Sequence, residues 1–112
     1  MTEQFFPPFE TAQLIAEDLR GKLVLSPQAG PVDIVEAQGD SQAWPITVRF
    51  SAESQKWPSP RSWEVTFEEG DILSGESVHA NAAALAENAV TLLLETLATG
   101  VVGGIREVNG EF

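Results

Sequence analysis

The stretch from about Val78 to Thr99 constrains the fold of this chain most, because it predicts a long helix with very little polar surface. One narrow stripe holds its polar positions Asn81, Asn88, Thr91 and Glu95, and almost every other residue is Ala, Leu or Val. A helix on the surface of a monomer normally has an apolar face of roughly a third to a half of its circumference. We therefore expect this helix to be covered on two sides, by a sheet and by either an earlier helix or a neighbouring subunit.

Two elements near the end of the chain carry predicted contacts with a partner chain. On the long helix these are Ala86 and Ala89, whose small side chains would allow close approach. After a series of glycines, a short final strand should join the sheet, and Ile105 and Val108 fall on its opposite faces. A strand that is apolar on both faces is unusual at an exposed edge, so we assign both residues to a partner contact.

Shorter patterns predict the remaining elements of a single domain over residues 1–112. A first helix should run from about Pro8 to Arg20, with proline in its first turn and Gly21 after its end. The segments "PVDIVEA", "PITVRFS" and "WEVTFEE" are predicted strands, and the last two alternate apolar and polar residues. The order is helix, three strands, helix, strand. This order indicates an α+β fold with an antiparallel sheet of about four strands and two helices packed on it.

Two aromatic segments are candidates for binding another protein. One is a candidate N-terminal arm, residues 1–8, in which the segment "FFPPF" begins. The other is the loop that connects the predicted strands "PITVRFS" and "WEVTFEE". Aromatic anchors carry much of the binding energy of protein interfaces. In the alternative interpretation, these aromatic side chains fold over the chain's own core. The residues that we assign to partner contact here are Phe5, Phe6, Phe9, Lys56, Trp57 and Arg61.

The net charge of −11, from 17 acidic and six basic side chains, argues against ordinary binding to nucleic acids. Counterion release requires clustered cations, and no Lys or Arg lies between Ser62 and Ile105. Three explanations of the acidic excess remain open: a solubilising surface, the wall of a DNA passage that must not grip phosphate, or a mimic of DNA that occupies a basic site on another protein. We expect no sequence-specific nucleic-acid partner.

No arrangement of residues predicts an enzyme, a metal site or a bound cofactor. The chain has no cysteine, and its single histidine, His79, has no adjacent nucleophile or orienting partner. The acids from Glu68 to Glu76 lack the regular spacing of a calcium loop. No apolar run reaches the ~18–20 residues that span a bilayer, and the first residues lack the pattern of a secretory signal. We expect an intracellular protein without catalytic residues, metal, cofactor or membrane segment.

The element order resembles that of the tail terminator, or tail completion, proteins of long-tailed phages. The segment "FPPFETAQLIAEDLRGKL" is similar to the opening Phe-Pro segment and first helix of that family, "ANAAALAENAVTLLLETLA" to its Ala-rich second helix, and "GGIREVNGEF" to its closing strand. The resemblance implies a non-enzymatic virion subunit that forms a homo-oligomeric ring, usually a hexamer, between tail tube and head connector. It also implies neighbouring tail and connector proteins as partners, and a location in the virion after assembly in the host cytoplasm.

Another segment favours a different function. The sequence "WEVTFEEGDILSGESVHANAAALAENAV" is similar to the strand–strand–helix core of HicB-like antitoxin domains, which implies a module that binds a toxin. A small acidic inhibitor that mimics DNA is the third hypothesis, and it too would act by binding a protein partner.

Overall fold

A computed structural model describes residues 7–27, 30–72, 75–100 and 102–108 of the chain. The helices are α1 (Pro8–Arg20) and α2 (Val78–Thr99), and a short 3-10 helix covers Glu69–Asp71. The strands are β1 (Leu23–Ser26), β2 (Gly30–Gly39), β3 (Ile46–Ser54), β4 (Arg61–Phe67) and β5 (Ile105–Val108). The predicted α+β class is confirmed. Over these described ranges the sheet has five strands, where about four were expected, because β1 precedes β2.

All five strands pair antiparallel in the order β1-β2-β3-β4-β5. Since α2 lies between β4 and β5 in the chain, the backbone leaves the sheet for the length of the helix and returns beside β4. Strand β2 contains a bulge at Val35. Its neighbours Ile34 and Glu36 pair with consecutive residues of β3, so Val35 is an extra residue without a partner position. The two edges of this open sheet are β1 and β5.

Both helices cover the same face of the sheet, and we call the opposite one the outer face. Buried residues alternate along β3 and β4, so that Phe50 and Trp63 point into the core from opposite positions. From α1, the core receives Ala12, Ile15 and Leu19, which are fully buried. Helix α1 packs on β2, β3 and α2, while α2 also reaches β1 and β5. The core therefore lies between the sheet and a layer of two helices.

Helix α1 approaches the sheet closely at Gly39. A Cβ atom at this position would overlap the backbone carbonyl of Ala12 and lie 2.9 Å from Ala12 Cβ. Nearby, Arg20 Nε and Nη2 donate hydrogen bonds of 3.1 and 2.7 Å to the carbonyl oxygen of Ala37. Glycine is needed at position 39 because only a residue without a Cβ lets the two backbones come so near.

Local signals set the ends of both helices where the sequence predicts them. Pro8 occupies the first turn of α1, and Gly21 follows its last residue. At the start of α2, Ser77 Oγ accepts a hydrogen bond of 3.0 Å from the N–H of Ala80. Gly100 ends α2 with a φ of 96°, a backbone conformation that residues with a Cβ rarely adopt.

Elements of the same chain cover α2. Helix α1 packs against α2. The sequence had left open whether an earlier helix or a neighbouring subunit would cover this side of α2. Ala86 and Ala89 are both 0% exposed within the core. The expectation that they contact a partner is therefore corrected, because neither presents any surface to one. The solvent-facing residues of α2 are polar or alanine, namely His79, Ala80, Ala83, Ala84, Glu87, Asn88, Thr91, Glu95, Ala98 and Thr99.

Gly39→Ala should destabilise the fold by about 1–3 kcal/mol, because the added methyl group would push α1 away from β2. Gly70→Ala is the matched control, since no atom lies within 4 Å of a Cβ at that position. Urea unfolding followed by circular dichroism measures the free energy of unfolding of both variants. Equal stability of the two would contradict the close approach of α1.

Ala86→Leu should also destabilise the folded chain by about 1–3 kcal/mol, because its enclosed position has no room for a larger side chain. Ala84→Leu, on the exposed side of the same helix, should change stability by less than about 0.5 kcal/mol. Thermal unfolding of dilute protein separates this effect from any loss of assembly. A wild-type unfolding temperature for Ala86→Leu would show that α2 packs differently.

Candidate protein-contact surfaces

Trp57 and Arg61, both predicted to bind a partner, lie together beside Trp63 where β3 and β4 meet their connecting loop. The guanidinium carbon of Arg61 is 5.0 Å from the ring centre of Trp57 and 5.2 Å from that of Trp63. The centres of the two indole rings are 5.7 Å apart. Cations are attracted to aromatic faces at such distances. Trp57 is therefore held against the core and stays half-buried.

Glu107 on β5 completes this group. Arg61 Nε and Nη2 donate hydrogen bonds of 2.8 and 2.7 Å to its two carboxylate oxygens. These hydrogen bonds raise the pKa of Arg61 and lower the pKa of Glu107, against the opposing effect of burial on each. Such paired hydrogen bonds fix geometry better than a single point charge. We call Trp57, Arg61, Trp63 and Glu107 the Trp57 cluster, and it joins the start of β4 to β5.

Lys56 and Phe9 are exposed, but they lie on different parts of the molecule. Lys56 belongs to the same loop as Trp57. Phe9 lies near the opposite end of the sheet, beside a shallow concavity that Gly39 also lines. Phe5 and Phe6 of the predicted arm lie outside the described residues.

Strand β5 carries the last two predicted contacts, and they differ in exposure. Ile105 is 7% exposed and faces the core, whereas Val108 is half-buried. Together with Leu97 of α2, Ile105 lines a groove of about 350 Å³ between β5 and the end of α2, which we call the β5 groove. Arg106 also lines it. This edge of the sheet thus presents an apolar groove bordered by a cation.

A concavity of about 410 Å³ lies between the loop of Trp57 and the first half of β2. Its walls include Trp57 and Pro58 from the loop, and Asp33 and Glu53 from the strands. The two acids occupy directly opposite positions on β2 and β3. Since like charges in such positions repel each other, this acidic pair favours the approach of a cationic group from outside.

The outer face carries an apolar strip that the sequence patterns did not predict. Leu23 is 65% exposed, Leu25 is 66% exposed and Val35 is 48% exposed, and we call these three residues the β1 strip. The signal in the sequence was the run Leu23-Val24-Leu25, in which the middle residue is buried and both neighbours are exposed. Apolar edge strands pair with other chains unless something protects them. The β1 strip is therefore a candidate contact surface.

Glu64 joins three strands across the same face. Its Oε2 accepts a hydrogen bond of 3.1 Å from Arg49 Nε on β3, and its Oε1 accepts one of 2.7 Å from Arg106 Nε on β5. Burial alone would raise the pKa of Glu64, but the hydrogen bonds from Arg106 and Arg49 hold that pKa below its ordinary value. Two guanidinium charges against one carboxylate leave this side of the outer face with an excess of positive charge.

Other chemistry finds little support among the described residues. His79 is exposed at the start of α2. In the ranges that the structure describes, no three His, Asp or Glu side chains lie together as a metal site would require. Over the same ranges, neither helix combines the length and the hydropathy that a bilayer-spanning segment needs. What the described surface does offer is apolar and charged groups suited to contact with a protein.

Comparison with known proteins adds no relative. No family model, no curated protein and no solved structure matches this chain. The features of this chain that bear on its function are therefore the β1 strip, the β5 groove and the charges around them.

Glu64→Gln should lower stability by about 1 kcal/mol at neutral pH, because Arg49 and Arg106 lose their shared carboxylate but remain hydrated. The folded protein holds the pKa of Glu64 below the ordinary value of 4.5. The contribution of this carboxylate is therefore present above that value and is lost as pH falls through the lowered pKa. The difference in stability between wild type and Glu64→Gln should shrink over that range.

Urea unfolding at a series of pH values measures this difference. Glu36→Gln, an exposed position on the same face, serves as the control and should change stability at neutral pH by less than about 0.5 kcal/mol. A Glu64→Gln difference that stayed constant from neutral to strongly acidic pH would contradict the role of Glu64 between the two arginines.

Proposed function

We propose that this chain is a ring-forming structural subunit of a phage virion, placed as a tail terminator or head–tail connector around a DNA passage. The described order of one helix, a run of strands, a second helix and a closing strand agrees with the order that the resemblance implies. The observation that carries the proposal is that the open sheet ends in two unlike edges. One is β1 with its exposed leucines, and the other is β5 with its groove.

Unlike edges support a ring because every subunit can repeat the same contact between two different surfaces. Such a contact closes into a ring when the rotation between subunits returns to its start, and otherwise it continues as a filament. On a lone monomer the β1 strip would be a liability, since exposed apolar edges promote aggregation. Assembly into a ring would cover it.

The distribution of charge supports a position around DNA. Four of the six cationic side chains form ion pairs with carboxylates of the same chain, and these are Lys22, Arg49, Arg61 and Arg106. Three carboxylates neutralise most of this charge locally, so that apart from the one excess positive charge beside Glu64 the surface is acidic and has little attraction for phosphate. We propose tail and connector proteins of the virion as neighbours, and the host cytoplasm as the place of assembly.

The proposal is tested by negative-stain electron microscopy of the purified chain and by mass spectrometry of virions of the phage that encodes it. We expect hexameric rings with an open centre, and we expect this chain among the virion proteins. Deletion of its gene should leave heads and tails that do not join.

Two other outcomes would contradict the ring. A stable dimer that is absent from virions and neutralises a toxin encoded beside it would favour the HicB-like antitoxin. Tight, salt-sensitive binding to a basic nuclease would favour the DNA mimic.

A further inference from the structure

We propose that the β1 edge of one copy of this chain binds the β5 edge of a second copy, head to tail. In this contact Leu23 and Leu25 of the β1 strip lie beside the outer-face residues of β5, Arg106 and Val108, and Arg106 of one copy meets Asp33 of the other. The inference names the contact within the proposed ring and rests on that function for the closure of the ring. The pairwise contact itself is carried by the features of the two edges.

The two edges match in apolar character. Leu23 and Leu25 are largely exposed on β1. At the other edge, Val108 lies on the outer face of β5, opposite Ser62, and is half-buried. Burial of the two leucines against this edge removes apolar area from water, which is the main driving force of association.

The two edges also carry opposite charge. Beside the β1 strip, Asp33 lies opposite Leu23 in the ladder, and a second acid lies opposite Asp33 on β3. On the other side of the outer face, Arg49 and Arg106 share the carboxylate of Glu64, and the side chain of Arg106 is exposed. Complementary charges guide two surfaces into one register and disfavour other pairings.

The lengths and spacings of the strands agree with this contact. Each edge strand has four residues. Neighbouring strands lie about 4.8 Å apart, so β5 laid beside β1 would be about 10 Å from β2 of the first copy. Extended Arg106 and Asp33 side chains span that distance together, with the arginine stem over Leu23. Because the five strands alternate in direction, β1 and β5 point the same way, and the contact is parallel.

A second copy is the partner that these features specify, because one chain carries both halves of the match at opposite edges. A two-fold dimer through β1 would instead bring the acidic groups around Asp33 near their equivalents, and like charges oppose binding. The head-to-tail arrangement avoids this repulsion and covers the leucines of every copy except one at an open end.

Two variants test the contact by disabling one edge each. The double substitution Leu23→Lys with Leu25→Lys should prevent binding through the β1 edge and leave β5 unchanged. The substitution Arg106→Glu should prevent binding through the β5 edge and leave β1 unchanged. Analytical ultracentrifugation should show self-association of the wild type, and a dissociation constant raised on the order of tenfold or more in each variant alone. A one-to-one mixture of the double lysine variant with Arg106→Ala should form a dimer that grows no further, because only one intact edge of each kind remains and the altered edges carry no opposite charges.

Controls separate loss of contact from loss of fold. Gln38→Lys with Gln42→Lys adds the same charge at exposed positions away from both edges and should associate like the wild type. Circular dichroism and thermal unfolding establish that each variant is folded. A milder version, with Ser at the two leucine positions or Ala in place of Arg106, replaces any edge variant that does not fold.

Three results would overturn the contact: a wild type that stays monomeric at its highest soluble concentration, wild-type association in either edge variant, or a mixture that stays monomeric. The proposed virion function can fail independently of this contact. Association that needs both edges, in a chain absent from virions, would uphold the contact and remove the proposed function. A monomeric chain found in virions would do the reverse.

Discussion

The close packing of α1 against β2 at Gly39 is the constraint on which the rest of the structure depends. Because the backbones of Gly39 and Ala12 nearly touch, α1 lies low on the sheet and leaves space beside it for α2. The small side chains of Ala86 and Ala89, both fully buried, let α2 pack closely in turn. With both helices on one face, the outer face is left without a covering element among the described residues, and the exposed leucines of β1 lie there.

The helices could be predicted because their determinants are local. Pro8 and Gly21 bound α1, while Ser77 and Gly100 bound α2, and the predicted limits agree with those observed. Alternation of apolar and polar residues also predicted β3 and β4, but their ends differ from the prediction by up to three residues, since β3 continues to Ser54 and β4 begins at Arg61. What covers α2 could not be predicted, because an apolar helix surface does not reveal whether its own chain or another chain lies against it. Ala86 was misassigned for that reason.

The candidate contact surfaces were only partly accessible from the sequence. Trp57 and Arg61 stood out as an aromatic and a cation in an acidic chain, yet Arg61 pairs with Glu107, a residue 46 positions away. No local pattern reports such a contact. The β1 strip was missed because Leu23 and Leu25 flank another apolar residue, so that no alternation marks them. Their exposure follows from the pairing of β1 with β2, which is a property of the whole sheet.

The bulge at Val35 bears on the shape of any assembly built edge to edge. An inserted residue bends its strand and increases the local right-handed twist. Each of the four steps between neighbouring strands already adds about 20–25° of rotation. The two rims of the sheet therefore point in different directions, and each added copy is turned relative to the one before it. The bulge adds to this rotation, so the curvature of a closed assembly, and with it the circumference of the ring, depends in part on one extra residue in β2.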